Sequence, residues 1–162
     1  MVLSPVLSVS AAPLLPVDVA TPESLVKGSG PAVYWYTGYE RYVFPNEETF
    51  YSWFSPYDFA RVRTISDASL VSLPIRGNVY FRPGSRIVKI STDPKVYGVD
   101  RNGTLRWLEN EAVARTLYGQ SWAQYVEEIP DAFFVSYSVG APVTRASDFN
   151  PPMMYTPSDN LR

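Results

Sequence analysis

Acidic side chains near predicted helix starts are the groups in this sequence whose type and spacing could support catalysis. They are the pairs Glu47/Glu48 and Glu109/Glu111, with Asp67 and Asp131. Two carboxylates that flank a sugar ring can hydrolyse a glycosidic bond without histidine. These acids, however, recur at equivalent positions of an internal repeat, and a helix start favours negative charge. We therefore interpret them as helix-start residues and predict that the chain is not an enzyme.

Most other catalytic and cofactor-binding arrangements are excluded by composition. The sequence contains no Cys and no His. Thiol nucleophiles, histidine bases and ordinary zinc, haem or iron–sulfur ligation therefore cannot occur. Neither GxxxxGK[ST], GxGxxG nor GxSxG is present, and residues 100–103 resemble a calcium loop that lacks its last acidic ligand. We predict no cofactor and no metal.

Length and composition indicate one folded domain with tails. The chain has 162 residues, of which 46% are hydrophobic and 19% are charged, so it can bury a core. Its formal net charge of −2 argues against a general nucleic-acid binder, which would present a basic face. No apolar run is long enough to span a bilayer.

The elements that would position any site belong to a duplicated segment, residues 33–77 and 96–140. Each copy predicts two short aromatic and β-branched strands, then a helix capped by Asn46 or Asn110. An extended piece and a further helical turn follow in both. Because Arg41/Glu47 and Arg106/Glu111 recur, we predict that each pair joins its hairpin to the following helix, with a ligand-binding ion pair as the alternative.

The predicted fold class is α+β. Two hairpin–helix units are expected to be joined by a central hairpin, strands 78–82 and 86–90, into one antiparallel sheet with short helices. Neither unit alone buries enough surface for independent stability, so we expect a shared core. Its predicted members are Tyr34, Phe44, Trp53, Phe54, Trp107, Leu117 and Phe134.

Residues 1–27 form a predicted arm that is apolar, interrupted by prolines and uncharged before Asp18. We interpret it as a mature N-terminus or a leader remnant rather than an intact signal peptide, because the basic start is missing. Such an arm has few internal hydrogen-bond partners, so it must lie on its own domain or in a groove or sheet edge of a neighbouring copy. The predicted anchors are Leu3, Val6, Leu7, Val9, Leu14, Leu15 and Val17.

Two further segments are candidates for contacts with a partner. Residues 141–162 are proline-rich and are interpreted as a second tail. A basic strip is predicted from Arg76, Arg82, Arg86 and Lys89. It could hold an anionic polymer such as an acidic cell-wall glycan, face an acidic patch of a neighbouring subunit such as Glu127 and Glu128, or be solvated. Of the two contacts, we favour the one between subunits.

The repeat resembles a tandem module of secreted and cell-envelope, surface-layer-like proteins of bacteria. The resemblance covers about residues 27–140 and rests on short motifs shared with that module. They are Val33-Tyr34, Arg41, Pro45-Asn46-Glu47, Ile65, Asp67-Ala68, Arg82-Pro83-Gly84, Asp93-Pro94-Lys95-Val96-Tyr97, Leu105-Arg106-Trp107 and Asp131-Ala132-Phe133-Phe134. It implies export and a surface location, and it supplies no active site.

Together these observations predict a secreted structural subunit. Residues 28–140 would form a single duplicated domain, and the terminal arms would assemble copies of the chain into an extracellular filament, sheath or surface lattice. The alternative is a surface module that binds glycan or cell wall through exposed Trp and Tyr faces. We expect no nucleic acid and no transmembrane segment among its interactions.

Overall fold

The computed structural model describes residues 21–155 and residue 161. Within these residues no helix is long and apolar enough to cross a membrane. The elements fall into two consecutive units and a C-terminal segment. The first unit contains β1 Ser24–Lys27, β2 Val33–Tyr36, β3 Arg41–Val43, α1 Glu47–Trp53, β4 Arg63–Thr64, α2 Asp67–Ser72 and β5 Ile75–Asn78.

The second unit repeats this order of elements. It contains β6 Ile87–Ile90, β7 Asp93–Asp100, β8 Thr104–Trp107, α3 Glu111–Tyr118, β9 Val126–Glu128, α4 Asp131–Phe134 and β10 Ser138–Val139. The C-terminal segment adds α5, Pro151–Met154. Short 3₁₀ turns at 56–61, 101–103, 122–125 and 146–148 complete the described chain.

The predicted α+β class is confirmed, but the strands form two sheets instead of one. The first sheet has the order β4-β1-β2-β3-β5 and the second has the order β10-β8-β7-β6-β9. Written from its other edge, the second sheet has the order β9-β6-β7-β8-β10, so each of its strands occupies the same place as the strand five numbers lower in the first sheet. In each sheet the three central strands are antiparallel and both edge strands pair in parallel.

The predicted central hairpin does not form. The turn at 82–85 exists, with the Ser85 N–H donating to the Arg82 carbonyl oxygen at 3.1 Å. However, β5 before it pairs with β3, and β6 after it pairs with β7 and β9. β5 and β6 each form their backbone hydrogen bonds with strands of their own unit, so the turn between them connects two separate sheets.

That turn also shows where the repeat begins. Ser85 Oγ donates to the Arg82 carbonyl at 2.7 Å, and Ser24 Oγ donates to the Thr21 carbonyl at 2.6 Å. The residue before each serine has a positive φ, 61° at Glu23 and 73° at Gly84. The repeat therefore extends upstream to Thr21, and residues 24–27 of the predicted arm are a strand of the body.

Helices cover both faces of each sheet. In the first unit Phe50 of α1 and the C-cap residue Phe54 pack on one face, beside Trp35, while Leu70 of α2 packs on the other face, beside Tyr36. In the second unit α3 and α4 take the same places, as the two remaining core clusters show. The core is therefore divided into four clusters, two per sheet. The predicted core residues all belong to them or pack against them.

The described part of the C-terminal tail packs on its own chain. Phe149 is buried against the second sheet, close to Gly98, and Leu161 is 1% exposed in the core of the first unit. Val143 continues the second sheet through a bridge to Leu108. The described residues of this tail therefore lie on their own chain, and a contact with a neighbouring copy stays a prediction.

Candidate functional site

Each unit has a groove where the open end of its hairpin meets the start of its first helix. In the first unit this groove has a volume of about 540 Å³. We call it the first groove, and it is lined by residues of β2, β3 and α1 and by aromatic rings. The rings are those of Phe44, Phe50, Tyr51, Phe59 and Phe133.

The second groove lies at the same place in the second unit and has a volume of about 250 Å³. Its lining includes Pro94, Val96, Leu108, Asn110 and Glu111. These residues correspond to lining residues of the first groove, namely Pro31, Val33, Phe44, Asn46 and Glu47. The grooves are therefore two copies of one feature of the repeat.

An asparagine cap fixes the rim of each groove. The side-chain oxygen of Asn46 accepts a hydrogen bond from Thr49 N at 2.9 Å, and that of Asn110 accepts one from Val113 N at 3.0 Å. Each cap satisfies a backbone N–H at the helix start, as predicted from the sequence. It leaves the amide nitrogen of the side chain as a donor for a group outside the helix.

The two grooves differ in chemistry. The first is largely apolar and aromatic. The second contains Trp107, Trp122 and the charged side chains Lys95 and Glu109. Lys95 Nζ lies 5.3 Å from the centroid of the Trp107 ring, which is a cation–π contact at the groove wall.

The grooves also differ in what lies beside them. Asn46 Nδ2 donates to the Glu128 carbonyl oxygen at 3.4 Å, and Phe133 lines the first groove, so β9 and α4 of the second unit close one side of it. The second groove is lined by second-unit residues alone among those that the structure describes. The contact between the units is therefore not reciprocal.

Two of the acids that could have been catalytic, Asp67 and Asp131, have structural partners. Asp67 accepts hydrogen bonds from Ser29 N at 2.8 Å and Ser29 Oγ at 2.7 Å, and these bonds hold the pKa of Asp67 below its ordinary value. Asp131 accepts from Ser91 Oγ at 3.4 Å at the equivalent place. Both acids tie the loop after the first strand of a unit to its second helix.

The predicted pairs Arg41/Glu47 and Arg106/Glu111 are wrong. Glu111 pairs with Arg115 at 2.7 Å, and the hydrogen bond and charge of Arg115 lower the pKa of Glu111. Arg106 pairs with Asp100 at 3.3 Å. The two arginines are not equivalent, because the strand register matches Arg106 to Tyr42 and Arg41 to Leu105. Matching identical letters shifted the comparison by one residue, which reverses the sheet face.

The residues of the predicted basic strip have separate partners in their own chain. Arg76 pairs with Glu40 at 2.8 Å, and Arg82 stacks on the Tyr155 ring at 3.6 Å. The other two pair with strand β9: Arg86 lies 3.7 Å from Glu127 and Lys89 lies 3.9 Å from Glu128. Glu127 and Glu128, suggested as an acidic patch on a neighbour, are thus partners within the chain.

The predicted arm anchors Leu3, Val6, Leu7, Val9, Leu14, Leu15 and Val17 lie outside the described residues. No group of three or more acidic side chains that could hold a metal occurs within the described part. Comparison with family models, with curated proteins and with solved structures found no significant match. The resemblance to cell-envelope repeat modules therefore remains a prediction.

Sequence reasoning missed the pairing of the two grooves and the burial of Arg41. The repeat contained a signal for the grooves, because Pro31/Pro94 and Asn46/Asn110 recur at matched spacing. It contained none for Arg41, whose burial depends on strand register. Its Nε and Nη1 atoms are buried without a hydrogen-bond partner.

Proposed function

We propose that this protein is a non-catalytic structural subunit that assembles head to tail into a polymer. The observation that carries the proposal is the non-reciprocal contact between the two units. When two equivalent bodies meet through different surfaces, each body still carries the surface that the other one used. Repeating the contact through these unused surfaces produces an open filament. Among residues 21–155 and 161, the surfaces left open are the second groove and the α2–β4 side of the first unit.

The first unit of a second copy is the proposed occupant of the second groove. Within the chain, the first groove meets β9 and α4 of the second unit. The equivalent elements of the first unit are β4 and α2, which carry the exposed Val71 and lie beside the exposed Ile75. Intermolecular stacking would continue the interface already present between the units.

The apolar N-terminal arm is the proposed second contact. β1 enters the sheet at Ser24, and the first groove lies at the Lys27 end of that strand. Four strand residues span about 13 Å. The arm of a neighbouring copy is the proposed occupant of this aromatic groove. The proposed secreted or cell-surface location rests on the resemblance of the repeat.

The assembly proposal is tested with two substitutions on α2. Ser69 is the equivalent of Phe133, which lines the first groove, whereas Val71 is the equivalent of Val135, which stays 84% exposed next to that contact. Ser69→Glu introduces a charge into the proposed interface and is expected to reduce assembly, measured by sedimentation velocity across a concentration series. Val71→Glu adds the same charge outside the interface and is expected to assemble as the wild type does. Equal behaviour of the two variants would contradict the head-to-tail contact.

A second variant tests the groove itself without removing the helix cap. Asn110→Asp keeps an oxygen that can accept from Val113 N, and Asp is also a good cap. It replaces the amide donor with a carboxylate, which repels a carbonyl oxygen of the next copy. We expect unchanged unfolding and weaker assembly. Deletion of residues 1–20 then measures the separate contribution of the arm.

Glycan binding is the second candidate, and the chemistry of the second groove favours it specifically. Trp107 and Trp122 offer ring faces, and Glu109 and Asn110 offer hydrogen-bonding groups at the same opening. The test is retention on purified cell-wall glycan. A wild-type protein that stays monomeric in sedimentation and is retained on glycan, with retention lost in Trp122→Ala, would support this candidate and exclude assembly.

A further inference from the structure

The turn between β7 and β8 contains the sequence Asn102-Gly103-Thr104. An asparagine that is followed by any residue except proline, and then by Ser or Thr, is the acceptor sequence for N-linked glycosylation. No other asparagine in the 162-residue sequence is followed by this pattern. The sequence therefore carries one such acceptor, and it coincides with the tip of a hairpin.

The asparagines that the fold uses have capped or buried side chains. Asn46 and Asn110 cap helices through their side-chain oxygens. Asn78 is buried and donates a hydrogen bond to a backbone carbonyl at 3.1 Å. Asn102, in contrast, is exposed, so its side-chain amide can be reached from solvent.

The backbone of the turn keeps Asn102 at the surface while the next residue packs on the body. Asn102 and Gly103 both have positive φ, 56° and 65°. Asn followed by Gly suits such a turn, because both residues tolerate the left-handed region. A Cβ added to Gly103 would lie 2.7 Å from the Tyr80 ring, so the backbone at this residue lies directly against that side chain.

The residues on either side hold the turn in place. Arg101 Nη2 donates to the Met153 carbonyl oxygen at 2.9 Å, and Thr104 Oγ1 lies 3.2 Å from Ser138 Oγ. The second contact joins two hydroxyls near the surface, so opening it costs little. The hydroxyl that the acceptor sequence requires can therefore become available to an enzyme.

The first unit shows that the repeat does not require this sequence. Its corresponding turn has four residues, 37–40, between the paired Tyr36 and Arg41. In the second unit five residues, 100–104, separate the paired Val99 and Leu105. The additional residue lengthens the turn at the place where the acceptor sequence lies, so a structural role in the repeat does not explain that sequence.

The turn lies at the closed end of its hairpin, whereas the second groove lies at the open end. Lys95, Val96 and Trp107 line the groove there. The four steps from Val96 to Asp100 along β7 span about 13 Å. A glycan attached at Asn102 is therefore compatible with the contact proposed for the second groove.

We propose that Asn102 is the attachment site of an N-linked glycan. A transferase joins Nδ2 of Asn102 to the anomeric carbon of a sugar, and the donor is a lipid-linked oligosaccharide diphosphate. The bond between that carbon and the phosphate oxygen breaks, the lipid diphosphate leaves, and one amide proton passes to a base of the transferase. This inference rests on the secreted location proposed above, because the acceptor sequence is used in exported chains.

The test is peptide mass spectrometry of protein recovered from the cells that naturally produce it and from their medium. Trypsin releases Asn102 in the peptide 102–106, or in 96–106 where a glycan blocks cleavage after Arg101. We expect the peptide to gain a mass equal to a whole number of sugar residues, with the first sugar retained on Asn102 after fragmentation. Recovery of the unmodified peptide alone would overturn the proposal.

Substitutions in the acceptor sequence separate N-linked glycosylation from other modifications of the turn. Thr104→Ser keeps the hydroxyl and is expected to keep the glycan. Thr104→Val has a similar shape without the hydroxyl and is expected to lose it. Asn102→Asp, which tolerates the left-handed backbone, removes the amide and is expected to lose the glycan as well. A sugar that persists on the peptide in Thr104→Val would overturn Asn102 as an N-linked site.

The location of the protein distinguishes failure of this proposal from failure of export. Protein found outside the cells with unmodified Asn102 would overturn the glycan and leave export intact. Protein retained inside the cells with unmodified Asn102 would overturn the secreted location and, with it, the glycan. Assembly is a separate readout, since Thr104→Val is expected to sediment as the wild type does.

Discussion

The backbone N–H of Phe81 donates a hydrogen bond to the phenolic oxygen of Tyr137 at 2.9 Å, across 56 positions in the sequence. Phe81 lies in the connector between the two units, and Tyr137 follows α4 of the second. Burial raises the pKa of Tyr137 far above its ordinary value. The hydroxyl therefore stays protonated and acts as the acceptor that holds the connector against the second sheet.

Removal of this acceptor is expected to destabilise the protein. Tyr137→Phe leaves the Phe81 N–H without its partner, which costs about 1–3 kcal/mol in the free energy of unfolding. Tyr118→Phe is the matched control, because the Tyr118 hydroxyl is buried without a hydrogen-bond partner. Its removal is expected to be neutral or stabilising. Urea unfolding of both variants checks the contrast, and equal losses of stability would contradict it.

Leu161, near the end of the chain, is expected to contribute to the stability of the first unit. It is buried in a cluster that includes Leu25, Trp35 and Val79. Leu161→Ala should lower the free energy of unfolding by about 2–5 kcal/mol through lost burial and the cavity left behind. Met153→Ala, at a residue that is 66% exposed, should change it by less than about 0.5 kcal/mol. A small effect at Leu161 would show that the tail does not dock on the body in solution.

Acid is expected to weaken the link between Asp67 and Ser29. The folded-state pKa of Asp67 is lower than its ordinary value of 3.8, because Ser29 donates backbone and side-chain hydrogen bonds to the carboxylate. Its contribution to stability is therefore complete above the unfolded pKa and is lost as pH falls below about 3.8 through the folded pKa.

Asp67→Asn should remove this part of the pH dependence. Its stability at neutral pH is expected to fall below that of the wild type, and the difference should shrink on acidification. Glu48→Gln, at an exposed acid of the α1 start, is the control for a general change in charge. Thermal unfolding between neutral pH and pH 3, roughly the range in which carboxylates titrate, provides the measurement. Parallel curves for wild type and Asp67→Asn would refute the link.

Two glycines with positive φ separate backbone strain from side-chain crowding. Gly103 has φ 65° and a Cβ added to it would lie 2.7 Å from the Tyr80 ring, whereas Gly119 has φ 85° and open space around it. Gly119→Ala incurs backbone strain alone, about 1–3 kcal/mol, because φ 85° with ψ 178° is a region that essentially only glycine adopts. Gly103→Ala adds to its own strain a cost of about 1–3 kcal/mol, because the Tyr80 ring must move. Urea unfolding of Gly103→Ala in the wild-type and Tyr80→Ala backgrounds isolates this second cost, and equal losses in both backgrounds would mean that Tyr80 relaxes freely.

Local signals in the sequence located most elements correctly. Asn46 and Asn110 marked helix starts because a short amide side chain can cap the first turn, and both caps are present. Gly119 marked the end of α3, where its φ of 85° suits a residue without Cβ. These interactions involve residues a few positions apart, so the sequence near each one is sufficient.

Long-range pairing was not accessible in the same way. The strong turn at 82–85 suggested a hairpin, but a turn does not specify whether the strands on either side belong to one sheet. The alignment of Arg41 with Arg106 failed for a related reason. A one-residue difference in register exchanges the two faces of a strand, and identity of letters does not detect it.

The sequence by itself determined that the chain is a duplicated α+β body, that its helices begin at capped asparagines, and that cysteine and histidine chemistry is excluded. These follow from residue types and from contacts close in the chain. Only the tertiary structure decided that there are two sheets, that the grooves are matched but unequally covered, and that Arg41 lies in an apolar layer. Those features depend on which distant segments meet. The hydrophobic effect has no directional preference, so it is compatible with many pairings of segments, and only the packing of the whole chain selects one.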